Sequence, residues 1–509
     1  MKKRALISVF DKTQITGFAK ALHGLGWEII STGGTYAALQ NAGIPVLEVQ
    51  EVTAFPEMLD GRVKTLHPFI HAGILYRRGD EGHRKAMEEA GLSSVDMVVN
   101  NLYPFEAVLN NPAAHHSELI ENIDIGGPSM IRAAAKNYTD VFVVVDPADY
   151  EQVISRLTAG TADAELRRQL AAKAFNYTAY YDALISQYFN GLLNISFPET
   201  AAVPYRKTQT LRYGENPHQQ AAFYRRAYIP DTEKADFKQL HGKELSYNNF
   251  NDIYSAVKMI KEFDEPAAVG IKHGNPSGIG SGGSIDEAFD KMYACDTVSI
   301  FGGIIVLNRA VTTHIAEQLN TFFVEIVIAP AFEEAAFAVL TQKKNIRLIE
   351  IRNLTGFALP AAVSKEVLNG LVMQDYDTPV LQDELNFVTD RKPELHELQD
   401  LLFGFKACKC VSSNGIVVVK NGGTVGIGQG EVRRSWAAEE AVERAGERCE
   451  GAVAASDGFF FEDTVELLHR HNIKAVIQPG GSVKDGEVIQ RCNTYGIAMV
   501  FTGIRHFRH

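Results

Sequence analysis

The sequence predicts an α/β protein of at least two domains, the first of them built on a parallel sheet. Two observations support this prediction. At 509 residues, the chain is too long to form a single compact core. In its N-terminal part, short apolar runs alternate with segments of helical periodicity. Strands that alternate with helices favour a parallel sheet with helices on its faces.

Each element of the first domain has a signal of its own. Apolar runs bounded by polar or turn residues predict strands, and longer stretches without Gly or Pro predict helices. The Gly-rich motif Thr32–Thr35 marks the point where the second strand meets its helix. Strands are expected at Ala5–Phe10, Trp27–Ile30, Met97–Val99 and Val141–Val145, and helices at Gln14–Gly24, from Thr35 to Gly43, and over most of Leu157–Asn190.

A polar segment that contains two prolines, Asn194–Lys207, is the best candidate for a linker. We therefore expect a first domain at 1–146, a helical connection and linker at 147–207, and a second α/β domain at 208–509. The second domain contains several strand–loop–helix passages with Gly-rich loops. In open α/β folds, loops at the carboxyl ends of strands are where ligands usually bind.

Charge and composition exclude several classes of protein. The net charge is −12 with both signs scattered, which argues against a general nucleic-acid binder. No apolar run approaches the roughly 18 residues of a membrane span. The first apolar run is too short for a signal peptide, since Asp11 and Lys12 follow it at once. Five sparse cysteines are typical of a reducing compartment, so we expect a cytoplasmic protein.

Two motifs early in the first domain combine cations, hydroxyls and free N–H groups. Thr32-Gly33-Gly34-Thr35 precedes a helix, whose N-terminal N–H groups suit an anion, although a tight turn is an equal alternative. Arg62 and Lys64 would point to one side of an extended segment, beside the hydroxyl of Thr65. Such a set suits a phosphate or a carboxamide, and a solvated basic edge is the alternative.

Two further motifs follow strands later in this domain. Asn100-Asn101-Leu102-Tyr103-Pro104-Phe105 supplies two amides and a phenol. Asp124-Ile125-Gly126-Gly127-Pro128-Ser129 precedes a helical run, with Pro128 suited to the first helical position and the acidic residue in the entering loop. Arg132 and Lys136 share one face of that helix. The alternative for Lys136 is that it only compensates the negative helix C-terminus.

The second domain carries two motifs of its own. Leu211-Arg212-Tyr213-Gly214-Glu215-Asn216-Pro217-His218-Gln219 begins the domain with a cation, a phenol and amides. Lys272-His273-Gly274-Asn275-Pro276-Ser277-Gly278 follows the apolar run Ala267–Ile271, so it is expected at a strand end. A lone His is more often structural than catalytic. An adjacent Lys and His in a Gly- and Pro-rich loop make a catalytic pair an equal alternative.

Together these motifs resemble the family of bifunctional purine-biosynthesis enzymes that join a 5-aminoimidazole-4-carboxamide ribonucleotide (AICAR) formyltransferase to an IMP cyclohydrolase. The resemblance covers essentially the whole chain, in the same domain order. It implies a methylglyoxal-synthase-like parallel-sheet domain followed by a larger transformylase region with cytidine-deaminase-like subdomains that lack zinc. It implies no essential metal, no nucleic-acid or membrane partner, and a homodimer with the transformylase site shared across the interface.

The resemblance also implies two reactions. The first transfers a formyl group from 10-formyltetrahydrofolate to AICAR, and the second closes formyl-AICAR to IMP with loss of water. In the closure, Lys136 would donate and accept the proton, with Lys64, Tyr103 and Asp124 beside it. The attack of a carboxamide nitrogen on a formyl carbonyl makes an oxyanion, which a cation or phenol stabilises, and the departing water needs a proton donor.

In the transfer, His273 would take the proton of the 5-amino group, and Lys272 would stabilise the oxyanion. A base with a pKa near 6.5 suits a poorly nucleophilic amine at neutral pH. The resemblance also implies nucleotide contacts in the first domain from Asp11, Lys12, Thr32, Gly33, Gly34, Thr35, Arg62, Thr65, Asn100, Asn101 and Ile125. In the second domain it implies nucleotide contacts from Arg212, Tyr213, Phe301, Gly302, Glu325, Asn414, Phe459 and Arg505, and folate contacts from Arg434, Asp463 and Thr464.

Several positions depart from the pattern of this family. Phe10 stands where many relatives carry Ser, and Ser277 replaces a frequent Cys. Ser412 and Arg433 also differ from common choices, and the loop around Phe459 is shorter than expected. Phe459-Phe460-Phe461 taken alone is typical of core packing. We expect these changes to tune substrate affinity without abolishing it.

Other classes of protein fit the sequence less well. An effector-binding module of the methylglyoxal-synthase-like group would not need Lys136 and Tyr103 with a transformylase partner. A nicotinamide dehydrogenase is weakly indicated by Gly426-Ile427-Gly428-Gln429-Gly430, whose third glycine comes one place early. A zinc deaminase is disfavoured because no Pro-Cys-x-x-Cys occurs. The presence of both catalytic sets argues against one silent half.

Overall fold

The structure is a computed structural model that describes residues 2–56, 58–59, 63–378, 380–381 and 384–509. The chain divides into two compact units. Unit 1 comprises Met1–Arg206 and Tyr224–Tyr228, and unit 2 comprises Lys207–Phe223 and Ile229–His509. No described helix is both long and apolar enough to cross a membrane.

Unit 1 contains a sheet in which every strand pair is parallel, as predicted. All but the shortest strand are almost wholly buried, which is why they read as apolar runs in the sequence. They are β1 Arg4–Val9, β2 Glu28–Ser31, β3 Leu47–Glu48, β4 Met97–Asn101 and β5 Phe142–Val144. The order is β3-β2-β1-β4-β5, so the direction of winding reverses between β1 and β4. The carboxyl ends of these two strands are the expected ligand crevice.

Helices connect these strands and pack against them. The helix expected over most of Leu157–Asn190 is two helices, because Gly160 and Thr161 interrupt it and Asp163 caps the second one by accepting from the N–H of Leu166 at 3.0 Å. The helices are α1 Ile15–Gly24, α2 Gly33–Asn41, α3 Val49–Thr53, α4 Pro68–Leu75, α5 Glu81–Glu89, α6 Phe105–Leu109, α7 His116–Glu121, α8 Gly126–Lys136, α9 Tyr150–Thr158 and α10 Ala164–Leu192.

The helix α8 begins earlier than the sequence predicts. Pro128 was expected at the first helical position, but α8 starts two residues before it at Gly126. The reason is that the carboxylate of Asp124 accepts a hydrogen bond from the N–H of Gly127 at 2.7 Å and so replaces a missing backbone acceptor. Pro128 still lies within the first turn, where its lack of an N–H costs nothing.

A hairpin of β6 Tyr205–Leu211 and β7 Ala221–Arg226 lies where the division between the units falls. The segment predicted to be a linker therefore ends in a strand. The long helix α10, which the sequence assigned to a connection, buries Leu170, Ala174 and Leu184 in the core of unit 1. Unit 1 is thus larger than its sheet alone suggests.

Unit 2 is built on a mixed sheet of twelve strands. Their order in the sheet is β16-β21-β20-β19-β17-β18-β10-β9-β11-β12-β13-β8, and β14 and β15 form a separate hairpin. The strands are β8 Phe237–His241, β9 Ala267–Lys272, β10 Asn275–Ser281, β11 Ile304–Leu307, β12 Ile326–Ala329, β13 Arg347–Ile351, β14 Ala362–Val367, β15 Gly370–Asp375, β16 Asn386–Phe387, β17 Ile416–Lys420, β18 Gly423–Gly428, β19 Val453–Ser456, β20 Ala475–Gln478 and β21 Ala498–Phe501.

The two halves of this sheet repeat one another. In each half an antiparallel hairpin is followed by a strand antiparallel to its first member and then by two parallel strands. The hairpins β9–β10 and β17–β18 meet at the centre, where Gly280 pairs with Gly423. Equivalent residues around the hairpins are separated by a constant 148 positions, for instance Lys272 and Lys420. Unit 2 is therefore a structural duplication.

Helices cover both faces of the sheet in unit 2. Ala267 and Val269 of β9 belong to one core with α11 and α15, whereas Ala268 between them belongs to another with α12 and α13. This is the period-two alternation of a strand buried on both faces. The helices are α11 Tyr247–Ile260, α12 Ile285–Cys295, α13 Thr313–Asn320, α14 Glu334–Leu340, α15 Leu395–Cys408, α16 Arg434–Ala445, α17 Glu462–Arg470 and α18 Asp485–Tyr495.

The Gly-rich run that weakly indicated a dinucleotide site has a packing role. A β carbon at Gly426 would lie 2.0 Å from the carbonyl oxygen of Ala441, and one at Gly428 would lie 1.8 Å from that of Ala437. Both glycines belong to β18, and their missing side chains let α16 lie directly on the strand. The run is therefore no argument for a nicotinamide cofactor.

Candidate active sites

In unit 1 the loops after β1 and β4 are tied together at the carboxyl edge of the sheet. The N–H of Asp11 donates to Oδ1 of Asn101 at 2.8 Å, and Nδ2 of Asn101 donates back to the carbonyl of Asp11 at 3.0 Å. Asn100 and Asn101 are the last residues of β4, so both amides reach this edge from the strand itself. Asn100 also donates to the carbonyl of Ser8 at 2.7 Å.

The N-terminus of α2 carries two nearby cations. A β carbon at Gly33 would lie 3.0 Å from Nζ of Lys64, and one at Gly34 would lie 3.7 Å from Nζ of Lys12. A helix N-terminus with two ammonium groups beside it has the charge and the N–H donors that suit an anion. The hydroxyls of Thr32 and Thr35 bond Ser8 and Val9 instead, so these two residues shape the turn.

A second group at this edge contains Lys64, Tyr103 and Asp124, which we call the Lys64–Asp124 cluster. The carboxylate of Asp124 accepts from the N–H groups of Gly127 and Tyr103. Burial raises the pKa of Asp124, while those two N–H groups and the charge of Lys64 each lower it in part. The cluster thus contains a carboxyl group whose proton affinity exceeds that of an ordinary aspartate, beside a cation and an exposed phenol.

The segment around Thr65 differs from its prediction. Val63–Thr65 form a turn and not an extended segment, because the N–H of Leu66 bonds the carbonyl of Val63 at 3.0 Å. The prediction that Arg62 and Lys64 point to one side of an extended segment involves Arg62, which lies outside the described residues. The hydroxyl of Thr65 is nevertheless brought to the start of α8, 2.6 Å from where a β carbon of Gly126 would lie.

The structure does not bring Lys136 to this edge. Lys136 is the last residue of α8, about 15 Å along the helix from Gly126 at 1.5 Å per residue. Its neighbour Asn137 donates to the carbonyl of Ile74 at 2.8 Å, at the end of α4. That end of α4 contacts Val95, just before β4 begins, so Lys136 lies at the amino edge of the sheet.

One predicted contact and one departure from the family pattern are exposed to solvent at this edge. Ile125, between Asp124 and α8, is 62% exposed, so its side chain is open to a ligand. Phe10 occupies the position where relatives carry Ser, and its ring meets that of Tyr103 edge-on at 6.0 Å. The departure at Phe10 therefore adds an aromatic wall beside the phenol.

In unit 2 the predicted Lys–His pair lies at the tip of the β9–β10 hairpin, which we call the His273 hairpin. His273 and Gly274 have φ of 72° and 76°, the geometry of a two-residue turn between antiparallel strands. A residue other than glycine is uncommon in this left-handed conformation, and such strain often accompanies function. In the equivalent β17–β18 hairpin, Asn421 and Gly422 occupy the turn with φ of 53° and 72°.

The side chains around the His273 hairpin place a cation and a carboxylate on either side of it. Nζ of Lys272 donates to the carbonyl of Phe301 at 2.5 Å and lies 3.2 Å from where a β carbon of Gly302 would lie. Asp252 of α11 accepts from the N–H of Gly274. Burial raises the pKa of Asp252, and that hydrogen bond with the charges of His273 and Lys272 lowers it in part.

Sequence reasoning missed Asp252, although a signal for it existed. In the second half of the sheet, Asp400 accepts from the N–H groups of Asn421 and Gly422 at 2.8 Å and 2.7 Å. Asp252 and Asp400 differ by the same 148 positions as Lys272 and Lys420. Comparison of the chain with itself at that offset would have marked both carboxylates as supports of a hairpin turn.

A cavity of about 480 Å³ in unit 2 contains most of the predicted folate contacts, and we call it the Arg434 cavity. Arg434 is only 6% exposed, because it pairs with Asp457 and donates to Ser456 at 2.7 Å and to Asn414 at 2.5 Å. The lining residues are Asn414, Val432, Arg433, Arg434, Ser435, Phe459, Phe461, Asp463 and Phe507.

The aromatic run beside this cavity divides between two roles. Phe460 is fully buried in the core, the role expected of this aromatic run from its sequence alone. Phe459 and Phe461 line the cavity instead. At the mouth, Arg433 and Asp463 form an ion pair at 2.7 Å. The cavity therefore combines flat apolar walls with one paired carboxylate, as a heteroaromatic ligand with N–H donors requires.

The remaining predicted contacts are more dispersed. Thr464 is fully buried and its N–H donates to Asp463 at 2.8 Å. The carboxylate of Glu325 forms an ion pair with the guanidinium of Arg347 at 2.6 Å. Arg505 lies over the ring of Phe507 at 4.3 Å, next to the Arg434 cavity. Arg212 lies over its own neighbour Tyr213 at 5.6 Å.

The cysteines do not form a metal centre. Cys408 and Cys410, the pair that could have indicated a metal, are buried free thiols. Burial raises the pKa of Cys410 to about 12, so it holds its proton at neutral pH. Among the described residues, no cluster of His, Cys, Asp and Glu side chains has the arrangement of a metal site.

Comparison with known proteins relates the whole chain to one family. A family described as the MGS-like domain matches residues 14–129, and one described as the AICARFT/IMPCHase bienzyme matches residues 134–444. The chain is 52% identical to the bifunctional purine biosynthesis protein PurH of Oceanobacillus iheyensis, with all of both chains covered. It is 50% identical to that of Ruminiclostridium cellulolyticum, again with full coverage, and 49% identical to that of Bacillus subtilis, with 100% of this chain and 99% of the relative covered.

Fold and sites define a two-unit α/β enzyme with a methylglyoxal-synthase-like first domain. The chain belongs to the AICARFT/IMPCHase bienzyme family. It is a bifunctional enzyme of purine biosynthesis that has AICAR formyltransferase and IMP cyclohydrolase activities, the last two steps of the route to IMP. The formyltransferase activity uses a formyl-folate co-substrate. The predictions of fold class, function and enzyme class are confirmed.

Proposed function

We propose that unit 2 transfers the formyl group of 10-formyltetrahydrofolate to AICAR and that unit 1 closes the product to IMP. The observation that supports the assignment of sites most strongly is the left-handed conformation of His273. The equivalent turn in the other half of the sheet carries Asn421, a residue well suited to that conformation. An imidazole kept where asparagine would cost less is typical of a functional position.

For formyl transfer, the 5-amino nitrogen of AICAR attacks the formyl carbon. Nζ of Lys272 stabilises the oxyanion that forms, and the exposed imidazole of His273 accepts the proton lost by the amine. Collapse of the oxyanion breaks the bond to N10 of the folate, which leaves with a proton. Nucleotide contacts are proposed for Arg212, Tyr213, Gly302, Glu325, Asn414, Phe459 and Arg505, and folate contacts for Arg434, Asp463 and Thr464.

For ring closure, the carboxamide nitrogen attacks the formyl carbonyl within one molecule, so proximity already favours the step. Lys64 and the phenol of Tyr103 stabilise the oxyanion, and Asp124, whose pKa is raised by burial, moves the proton that lets water leave. Lys136 is proposed as a proton carrier on the family resemblance alone. Nucleotide contacts are proposed for Asp11, Lys12, Thr32, Gly33, Gly34, Thr35, Arg62, Thr65, Asn100, Asn101 and Ile125.

The proposed domains are a cyclohydrolase at 1–146, a helical connection at 147–207 and a transformylase at 208–509. Each half of the duplicated sheet is proposed to be one cytidine-deaminase-like subdomain. We also propose a cytoplasmic homodimer that needs no metal, with the transformylase site shared between subunits. Gel filtration with light scattering tests the dimer.

Separate substitutions in the two units test the assignment of sites. His273→Ala is expected to abolish formyl transfer and leave cyclisation of supplied formyl-AICAR nearly intact, since the two sites lie in different units. Lys136→Ala is expected to do the reverse if Lys136 carries the proton. Loss of folate donor and appearance of IMP are followed with AICAR and 10-formyltetrahydrofolate. Either change removing both activities from folded protein contradicts the two-site assignment.

The ion pair at the mouth of the Arg434 cavity gives a further prediction. The carboxylate of Asp463 is shared between Arg433 and the N–H of Thr464, so N–H donors of the folate would compete with Arg433 for it. Because both side chains are about half exposed, the pair contributes at most about 1 kcal/mol. Arg433→Ser should therefore lower the KM for formyl-folate up to about fivefold, whereas Asp463→Asn should raise it. A higher KM in Arg433→Ser would show instead that Arg433 itself binds the co-substrate.

A further inference from the structure

The C-terminal tail of unit 2 is anchored by a buried histidine. His506 is 1% exposed, and its Nδ1 lies 2.7 Å from the carboxylate of Asp377 while its Nε2 lies 3.2 Å from the carbonyl of Val380. Its backbone N–H donates to the carbonyl of Asp457 at 3.2 Å. These contacts fix the backbone at His506 and thereby the starting point of the residues that follow it.

Beyond this anchor, successive residues reach two different parts of the transformylase site. Phe507 lines the Arg434 cavity. Arg508 turns to the His273 hairpin, where its guanidinium donates to the carbonyl of Gly274 at 3.2 Å and also to the carbonyl of Cys410. The backbone of Arg508 is held by Ser413, which bonds both its N–H and its carbonyl at 3.0 Å.

The loop at 410–414 extends this link to the cavity. Ser412 donates to Oδ1 of Asn275 at 2.9 Å, next to the turn. Ser413 bonds Asp457, and Asn414 accepts from the buried Arg434 at 2.5 Å. One continuous network thus joins the backbone of the turn that carries His273 to the guanidinium at the back of the cavity.

We infer that Arg508 is a positioning residue for formyl transfer, holding the turn of the His273 hairpin in register with the Arg434 cavity. This rests on the proposed function of His273 as the base. A left-handed histidine persists only where its surroundings hold it, and a cationic donor on the next carbonyl is a strong restraint. A displacement of a reacting group by 1 Å can cost about 100-fold in rate.

Two substitutions of Arg508 test this inference in the full-length protein. Arg508→Gln is expected to lower kcat of formyl transfer by about 10- to 100-fold, with KM for AICAR and for formyl-folate within about threefold of wild type. Arg508→Lys should recover part of the loss, because an ammonium can still donate to one of the two carbonyls. Ring closure of supplied formyl-AICAR should not change, since it belongs to unit 1.

The matched control is Arg470→Gln, which changes an exposed arginine of α17 that pairs with Glu466 on its own helix. It should leave both activities at the wild-type level. Wild-type kcat in Arg508→Gln would overturn the inference, as would equal loss in Arg508→Gln and Arg508→Lys with a matching fall in melting temperature. Formyl transfer that survives in His273→Ala would instead overturn the proposed function.

Discussion

Replacement of His273 by asparagine is expected to lower formyl transfer by about 10²- to 10⁴-fold, the usual contribution of a general base. The same change should leave the unfolding temperature of unit 2 unchanged or higher. Asparagine tolerates the left-handed conformation of this turn, and Asn421 already occupies the equivalent place. Consumption of formyl-folate and calorimetry of the full chain measure the two effects.

The reciprocal change in the other hairpin is the control. Asn421→His places an imidazole in the same kind of turn, beside Lys420, which donates to the carbonyl of Glu450 as Lys272 donates to that of Phe301. Formyl transfer should nevertheless stay at the wild-type level because this change leaves the Lys272–His273 pair intact. If His273→Asn keeps more than about a tenth of the wild-type kcat, the imidazole is not the base.

Asp124→Asn is expected to lower ring closure by about 100-fold, because the amide keeps the shape of the carboxyl group but cannot accept the proton. Unit 1 should become more stable at neutral pH. Burial raises the pKa of Asp124 in the folded state, so its ionised form opposes folding. Cyclisation of supplied formyl-AICAR and calorimetry at several pH values provide the measurement.

The pH dependence of that stability follows from the direction of the shift. A carboxyl whose folded-state pKa is raised favours folding below its unfolded pKa, about 3.9, and this advantage is lost as pH rises through the folded pKa. The gain in Asp124→Asn should therefore be largest at neutral pH and shrink on acidification. Asp182→Asn, on an exposed position of α10, should change neither property. A stability gain that does not depend on pH would contradict the role of burial.

Much of unit 1 could be predicted because its signals are local. Buried strands read as apolar runs, and the motif Thr32–Thr35 marks a strand–helix junction within a few residues. The parallel sheet and the edge that collects Asn101 and Asp124 follow from that alternation. The Lys272–His273 pair was likewise expected at a strand end, and β9 ends at Lys272.

Other features depend on contacts between residues far apart in sequence. The start of α8 moved because Asp124 caps it, and Lys136 could not be placed relative to Lys64 without the direction of that helix. The duplication in unit 2 is a matter of strand pairing, and 148 positions separate its equivalent residues. No window of local sequence contains both copies.

The amino-acid sequence by itself determined the fold class, through the periodicity of its strands and helices, and its short motifs carried the resemblance to a family with two activities. Only the tertiary structure decided which residues meet. It showed His273 in a left-handed turn and Arg434 buried against Asp457, and it brought the tail residue Arg508 to Gly274. Such contacts join residues that are far apart in sequence, so short segments cannot predict them.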